Sequence, residues 1–372
     1  MTSEKKLIAL VLPDLRGGGA ERVMVSLANE FVGRGVSVDL VLLRGDGELT
    51  ALTALLDSRV RIFNFGARRL IGSVTPLASY LRDRKPQATL ANMWPIPILG
   101  LLGRFFGRSE TRLIGIEHTT WSASEMFSRL RTRWVIRASM SLLYRHLDQV
   151  VAVSDGVATD LARIAHLPRE SIEVIYNGIV GAQTAVQEEC CAEWGDGAAD
   201  QRYKLLGVGT LQPSKNFDVL LRAFAQVRES LNARLVLLGE GLERAALEEL
   251  ARQLQVADLV SLPGFVGNPA PYFRTADLLV VSSRVEGFGN VIVEALEQGT
   301  PVVSTDCPSG PREILDGGKF GALVPVGDVD ALAAAICNEL SKTPDPERLM
   351  QRANDFSVEK AANRYLQIAN LG

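Results

Sequence analysis

Cysteine and histidine are scarce in this chain of 372 residues. The four cysteines are Cys190, Cys191, Cys307 and Cys337, and no CxxC pair exists. A disulfide framework and a structural zinc site are thereby excluded, and a reducing cytoplasm fits. No uncharged apolar stretch reaches the roughly 18 residues that a spanning helix needs, so any membrane role is peripheral. The apolar run Leu7–Leu12 is short and leads into Asp14, Leu15 and Arg16 without a small-residue cleavage site. It reads as a first buried strand rather than a signal peptide. A P-loop is absent, and neither glycine-rich segment completes a dinucleotide fingerprint. Gln212 and Arg244 stand where Gly207-Val-Gly209 and Gly239-Glu-Gly241 would need a third glycine. The acidic triplet Asp328-Val-Asp330 reads as the cap of a helix over Ala331–Leu340 rather than as a metal site. No metal ligand set and no cofactor is expected. A net charge of −3 does not suggest a nucleic-acid binder.

What remains is the composition of an ordinary globular protein, with 47% hydrophobic and 22% charged residues. The length exceeds what one core supports, so two domains are expected. Charge is uneven. Residues 1–178 carry a net +6 and the remainder −9. Such a split is compatible with one face meeting anionic lipid, or with an uneven surface of no consequence.

Strand and helix patterns alternate, which predicts parallel sheets covered on both sides. In the first half the strand candidates are Leu7–Leu12, Ser37–Leu43, Val60–Phe63, Ala88–Ala91, Arg112–Glu117 and Gln149–Ser154. Helices are expected between them, as over Ala20–Arg34 and Ser154–Ala165. Gly181–Gln201 is polar, rich in small residues and without periodicity, and reads as a loop near a domain junction. A second series runs through Tyr203–Gly209, Leu235–Leu238, Val260–Leu262, Leu278–Ser282 and Pro301–Thr305. The domains are set at 1–178 and 179–356. A final helix of about 357–372, with no strand after it, is expected to return across the junction.

The most informative stretch is Ser283-Arg-Val-Glu-Gly-Phe-Gly-Asn-Val-Ile-Val-Glu-Ala-Leu-Glu297. It follows an apolar strand, so Glu286 is expected at a strand's carboxyl end, where open α/β sheets bind ligands. Gly287, Phe288 and Gly289 open a helix with Asn290 as its N-cap, and Glu294 lies one turn in. Two carboxylates thus flank a glycine loop and a helix N-terminus, a place to hold hydroxyls and phosphates together. Glu117 and Glu125, and Glu240 and Glu248, share the same spacing but lack that context. Lys215 follows the first strand of the second half, a position from which a lysine neutralises a pyrophosphate leaving group. Gly17-Gly18-Gly19, before a helix, is either a tight turn or a close backbone approach to a ligand. His118 ends the strand Arg112–Glu117 and is either a structural loop histidine or one that bonds a sugar or accepts a proton. His146 and His166 lie in helical or helix-end contexts. Phe127–His146 carries Arg129, Arg131, Arg133, Arg137 and Arg145 among Leu130, Trp134 and Tyr144. It reads either as a core-facing helix with a basic rim or as a surface for anionic membrane.

Gly18-Gly19-Ala20-Glu21-Arg22, Val151-Ala-Val-Ser-Asp155, Val174-Ile-Tyr-Asn177, Lys215-Asn216 and the Glu286–Glu294 element occur in this order. Together they resemble glycosyltransferase family 4, retaining enzymes of the GT-B fold, nearly end to end. The resemblance implies two Rossmann-like, doubly wound domains facing across a cleft, with the nucleotide-sugar donor mainly on the C-terminal one and the acceptor mainly on the N-terminal one. Glu294 would then bind the donor ribose, and Glu286 the transferred sugar with the backbone of Phe288 and Gly289. Lys215 would hold the diphosphate, Gly18 and Gly19 would approach it, and His118 would contact sugar or acceptor. At Thr210 the sequence departs from the family, which has an arginine there. Arg284 is the candidate substitute, and Thr210 retains a hydrogen-bond donor. The implied reaction is metal-independent hexosyl transfer with retention. Asp306-Cys-Pro-Ser-Gly310 resembles enzymes that extend bacterial lipid-linked or surface polysaccharides, including lipopolysaccharide, from UDP-sugars. A cytoplasmic location, peripheral to the inner face of the membrane, is expected. Two alternatives remain at this stage. One is a nucleotide-sugar epimerase, which the few histidines disfavour. The other is a non-catalytic nucleotide-sugar-binding subunit, which Thr210 makes conceivable.

Overall fold

The computed structural model describes residues 6–15, 18–44, 52–182, 194 and 203–371. The chain divides into two compact units, Met1–Gln183 with Phe356–Gly372, and Thr184–Asp355. The first holds strands β1 (Leu7–Leu12), β2 (Ser37–Leu42), β3 (Arg61–Asn64), β4 (Ala88–Asn92), β5 (Arg112–Glu117), β6 (Gln149–Ala152) and β7 (Ile172–Val174). Its helices are α1 (Gly19–Gly33), α2 (Val74–Arg84), α3 (Ile96–Gly107), α4 (Glu125–Ser128), α5 (Leu130–Leu143) and α6 (Asp155–Ala165). The second unit holds β8 (Tyr203–Val208), β9 (Ala233–Leu238), β10 (Val260–Gly264), β11 (Leu278–Val281), β12 (Val302–Thr305) and β13 (Ala322–Val324). Its helices are α7 (Phe217–Ser230), α8 (Arg244–Gln253), α9 (Ala270–Thr275), α10 (Asn290–Glu297), α11 (Pro311–Ile314), α12 (Val329–Leu340) and α13 (Pro346–Ala353). The last helix, α14 (Val358–Ile368), belongs to the first unit.

Both sheets are parallel, in the orders β3-β2-β1-β4-β5-β6-β7 and β10-β9-β8-β11-β12-β13. Each order reverses once, between β1 and β4 in one sheet and between β8 and β11 in the other. Such a switch point opens a crevice at the carboxyl ends of the strands. The same doubly wound plan is therefore built twice. Strands covered on both faces must be apolar throughout, and β1, β11 and β12 are buried along their whole length. In the second unit the core lies between sheet and helices around Leu205, Leu220, Phe224, Leu237, Val280 and Ile336.

The structure departs from the sequence reading in places. β13 was not expected, because its three residues leave no periodic signal. The sequence set the first boundary at 178, whereas Ile179 and Val180 both donate their amides to the Phe356 carbonyl, which ties them to the first unit. Ser357 caps α14, and Val358 bonds back to Val180 at 3.0 Å. Gly178 makes this possible, since a Cβ there would lie 2.6 Å from Val358 Cα. The expected Phe127–His146 helix is divided, because Arg129 is extended and starts α5 anew. Of the loop expected over Gly181–Gln201, only Gly181, Ala182 and Trp194 are described, and Cys190, Cys191, Arg16 and Gly17 lie outside the described residues.

Candidate active site

In the second unit the site grows from the carboxyl ends of β8 and β11. β8 leads through Gly209 and Thr210 to a 3-10 turn, Pro213–Lys215, and Asn216 takes the left-handed conformation (φ 56°) before α7. β11 leads through Ser282 and Ser283 to Glu286 and the glycine loop. Side chains stitch the two segments together. Ser282 Oγ donates to the Lys215 carbonyl at 2.8 Å, the Arg284 amide to the Ser214 carbonyl at 2.8 Å, and Arg284 Nε to Asn216 Oδ1 at 2.7 Å. Thr305, ending β12, donates its hydroxyl to the Ser283 carbonyl at 2.6 Å.

This framework brings Lys215 and Glu286 together. Lys215 Nζ donates to Glu286 Oε1 at 2.6 Å, and Ser283 Oγ donates to the same oxygen at 2.6 Å. The lysine side chain is 21% exposed and the glutamate 11%, so the pair is shielded but reachable. Thr210 is exposed on the Lys215 loop. The lysine stem passes over Gly209, where a Cβ would lie 3.2 Å from Lys215 Cε.

Asn290 is the first residue of α10 and not its cap. Gly289 takes the capping place with φ 100°, a backbone conformation that glycine adopts without a side-chain clash. Gly287 and Glu294 are half-buried, and Phe288 is buried. Gly310 presses on the loop from the other side, since a Cβ there would fall 1.7 Å from the Phe288 carbonyl oxygen. Next to it Cys307 is buried. Burial first, and the Glu286 charge second, push its thiol up to about 12, so it is an inert filler.

In the first unit Gly18 and Gly19 follow β1, and His118 follows β5. Gly18 precedes α1 in an extended conformation, and a Cβ there would meet Glu21 Oε2 at 2.4 Å. The Glu21 carboxyl thus folds over the start of its own helix, and burial raises its pKa. His118 Nε2 lies 3.2 Å from Asn92 Oδ1. Asn92 Nδ2 donates to the carbonyls of Val11 and Leu90, each at 3.3 Å, so Oδ1 must face the imidazole. Nε2 therefore carries the ring proton. Nδ1 is buried and has no partner among the described residues. Burial holds the pKa of His118 down at about 4, so the ring is neutral at physiological pH.

Glu117, beside it, is fully buried. It accepts from Trp121 Nε1 at 2.9 Å, from the Tyr144 hydroxyl, and from the Trp94 amide. One carboxyl thus ties together the ends of β5, the β4–α3 turn and the turn after α5. Sequence reading passed over Glu117, Asn92 and Ser283. Glu117 appeared only as half of an eight-apart pair, and Ser283 lies in the informative stretch without a charge to mark it.

Asp328 caps α12 by accepting from the Ala331 amide at 2.9 Å, and Asp330 accepts from Gln226. Among the described residues no three His, Cys, Asp or Glu side chains group to hold a metal. No helix among them is long and apolar enough to cross a membrane.

Residues 17–180 match Glycosyltransferase Family 4, and residues 202–342 match the glycosyl transferases group 1. The chain belongs to this glycosyltransferase family. Its two parallel α/β domains are those of the GT-B fold. Among similar proteins is a Campylobacter jejuni enzyme named N-acetylgalactosamine-N,N'-diacetylbacillosaminyl-diphospho-undecaprenol 4-alpha-N-acetylgalactosaminyltransferase, 34% identical over 63% of this chain and 61% of its own length. The chain thus spans under two thirds of that enzyme. The lipopolysaccharide core biosynthesis glycosyltransferase LpsE of Rhizobium meliloti is 28% identical over 95% of this chain and 96% of its own. Among solved structures, Anabaena HepE with UDP-glucose superimposes with a TM-score of 0.74 at 22% identity, over 98% of both chains. In this glycosyltransferase Lys215 and Glu286 are joined by an ion pair that Ser283 supports.

Proposed function

We propose that this glycosyltransferase moves a hexose from a UDP-sugar, with retention at the anomeric carbon, to a glycan or lipid-linked glycan in bacterial surface polysaccharide synthesis. The observation that carries the reading is the Lys215–Glu286 pair, held at the carboxyl ends of β8 and β11 beside the N-terminus of α10. A lysine, a helix N-terminus and a carboxylate in one place suit a sugar diphosphate. The cation and amides take the phosphates, and the carboxylate takes sugar hydroxyls. In the reaction the anomeric C–O bond breaks and its electron pair leaves with the diphosphate. The acceptor oxygen bonds to the anomeric carbon on the same face, and its proton passes to a leaving phosphate oxygen. Lys215 and the amides of the Phe288–Gly289 loop stabilise the departing charge, so no metal is required. Glu286 positions the sugar and forms no covalent bond to it.

Glu294 holds the ribose in this reading, while Thr210, Arg284, Gly287 and Asn290 complete the donor side. His118 contacts sugar or acceptor as a neutral ring, because a proton at Nδ1 would be a buried charge without a partner. The support for a UDP donor is the Anabaena structure, which holds UDP-glucose. The support for a lipid-linked acceptor is the Campylobacter enzyme, whose name specifies a diphospho-undecaprenol glycan. Such an acceptor would set the enzyme to work at the inner face of the cytoplasmic membrane.

The test is transfer from a panel of UDP-, GDP- and ADP-sugars to lipid-linked glycans, with excess chelator in a parallel series. Product with the donor's anomeric configuration, formed from UDP-sugars and unaffected by chelator, is expected. Loss of transfer in chelator with recovery on adding Mg²⁺ or Mn²⁺ would overturn the metal-free mechanism.

A further inference from the structure

The least explained surface of the first unit is the outward face of α5. Ile136 and Met140 are its only buried residues, and they hold it to the unit. Leu130, Trp134, Val135 and Leu142 all point outward, and Trp134 is 67% exposed. Leu130 and Trp134, four residues apart, lie on one column of the helix and Val135 and Leu142, seven apart, on a second, with Arg131 between the columns and Arg137 beside the first. The helix contains no acidic residue. Among the described residues, Arg129, Arg131, Arg133 and Arg137 form no ion pair, although arginines elsewhere in this unit, such as Arg84 and Arg163, do. A solvent-facing helix would ordinarily turn charge outward and apolar groups inward. This one turns both cations and large apolar groups outward.

A second feature adjoins it. α3 ends in Phe105 and Phe106, 75% and 63% exposed, with Arg104 and Arg108 on either side. Arg104 pairs with Asp148 and donates to the His146 carbonyl at 2.9 Å, so the end of α3 is fastened to the turn that closes α5. Aromatic and aliphatic groups interleaved with unpaired arginines fit the interface of an anionic bilayer. There the rings sit at headgroup depth and the guanidinium groups meet phosphates. A protein partner would also cover the apolar groups, but the unpaired arginines favour a surface dense in negative charge.

We propose that α5 and the end of α3 form a docking surface for anionic lipid bilayer. The proposal deepens the reading above by naming the surface that meets the membrane, and it rests on that reading for the lipid-linked acceptor. Tyr144, next to α5, bonds to Glu117, the neighbour of His118, so a docked α5 is joined to the candidate site through two residues.

Co-sedimentation of the full-length protein with vesicles tests it, using phosphatidylcholine alone and phosphatidylcholine mixed with phosphatidylglycerol. Binding is expected to the anionic vesicles only, and to weaken as salt rises. Arg131→Ser and Arg137→Ser should each weaken it about fivefold. Trp134→Ser should weaken it at every salt concentration. The salt series on the unaltered protein keeps the test informative if a variant folds poorly. Equal binding to both vesicles, or to neither, overturns the proposal. So does a dimer in solution that Trp134→Ser dissociates, since the face would then join two copies of the chain. Vesicle binding is read without donor or acceptor, so a failed transfer assay would count against the proposed reaction and leave this result standing.

Discussion

Replacing Lys215 with alanine probes the centre of the site. In the folded protein its ammonium lies 2.6 Å from Glu286 Oε1, and the two side chains are 21% and 11% exposed. Removing the lysine leaves the glutamate charge supported at that oxygen by Ser283. Loss of one charge-assisted hydrogen bond in a shielded place costs about 1.5–3 kcal/mol of stability. The catalytic loss should be larger, because the same ammonium is asked to meet the charge that develops on the leaving diphosphate. A preorganised donor of this kind is worth about 2.7–4 kcal/mol, or roughly 10²–10³ in turnover. Single-turnover transfer from a UDP-sugar would read the catalytic part, and urea unfolding the structural part. A double cycle with Glu286→Gln separates them further. Residues acting through one ion pair should lose less together than the sum of their single losses. Turnover of Lys215→Ala within threefold of the unaltered protein would refute the reasoning, as would fully additive losses.

Glu294→Ala should weaken UDP binding by about 1.5–3 kcal/mol in calorimetry, as for a lost charge-assisted bond to ribose, and unchanged affinity would remove Glu294 from the donor site. Ser283→Ala should lower turnover more than it raises the donor KM, because the hydroxyl orients Glu286 rather than touching nucleotide; restoration by threonine but not by valine is the accompanying check. Glu117 predicts a pH dependence of stability. Burial raises its pKa from 4.5 to about 7 in the fold. Its contribution is therefore fully present below the unfolded value of 4.5 and is lost as pH rises through about 7, a change of about 3 kcal/mol at 1.36 kcal/mol per pKa unit. Glu117→Gln should gain on the unaltered protein over that window in urea titrations, and parallel curves would show that the carboxyl does not titrate there.

The sequence by itself determined the succession of elements and the family. Apolar runs mark β1, β11 and β12 because strands buried on both faces must be apolar throughout. The Glu286–Glu294 element was legible because strand, glycine loop and helix start are all local. Asp328 was legible as a helix cap for the same reason. The left-handed Gly289 displaced Asn290 as the cap of α10, because a φ of 100° is set by how the loop enters the helix and not by which residue has the better capping side chain. Only the tertiary structure decided the rest. Lys215 and Glu286 are 71 residues apart, and they meet because β8 and β11 pair at the switch point. Nothing local indicates that Glu117 is sealed from water while Glu125 begins a short helix four residues after a buried tryptophan. Burial, tautomer and ion pairing arise from contacts between segments distant in the chain. Periodicity records only which face of one segment is apolar, and leaves open what that face will meet.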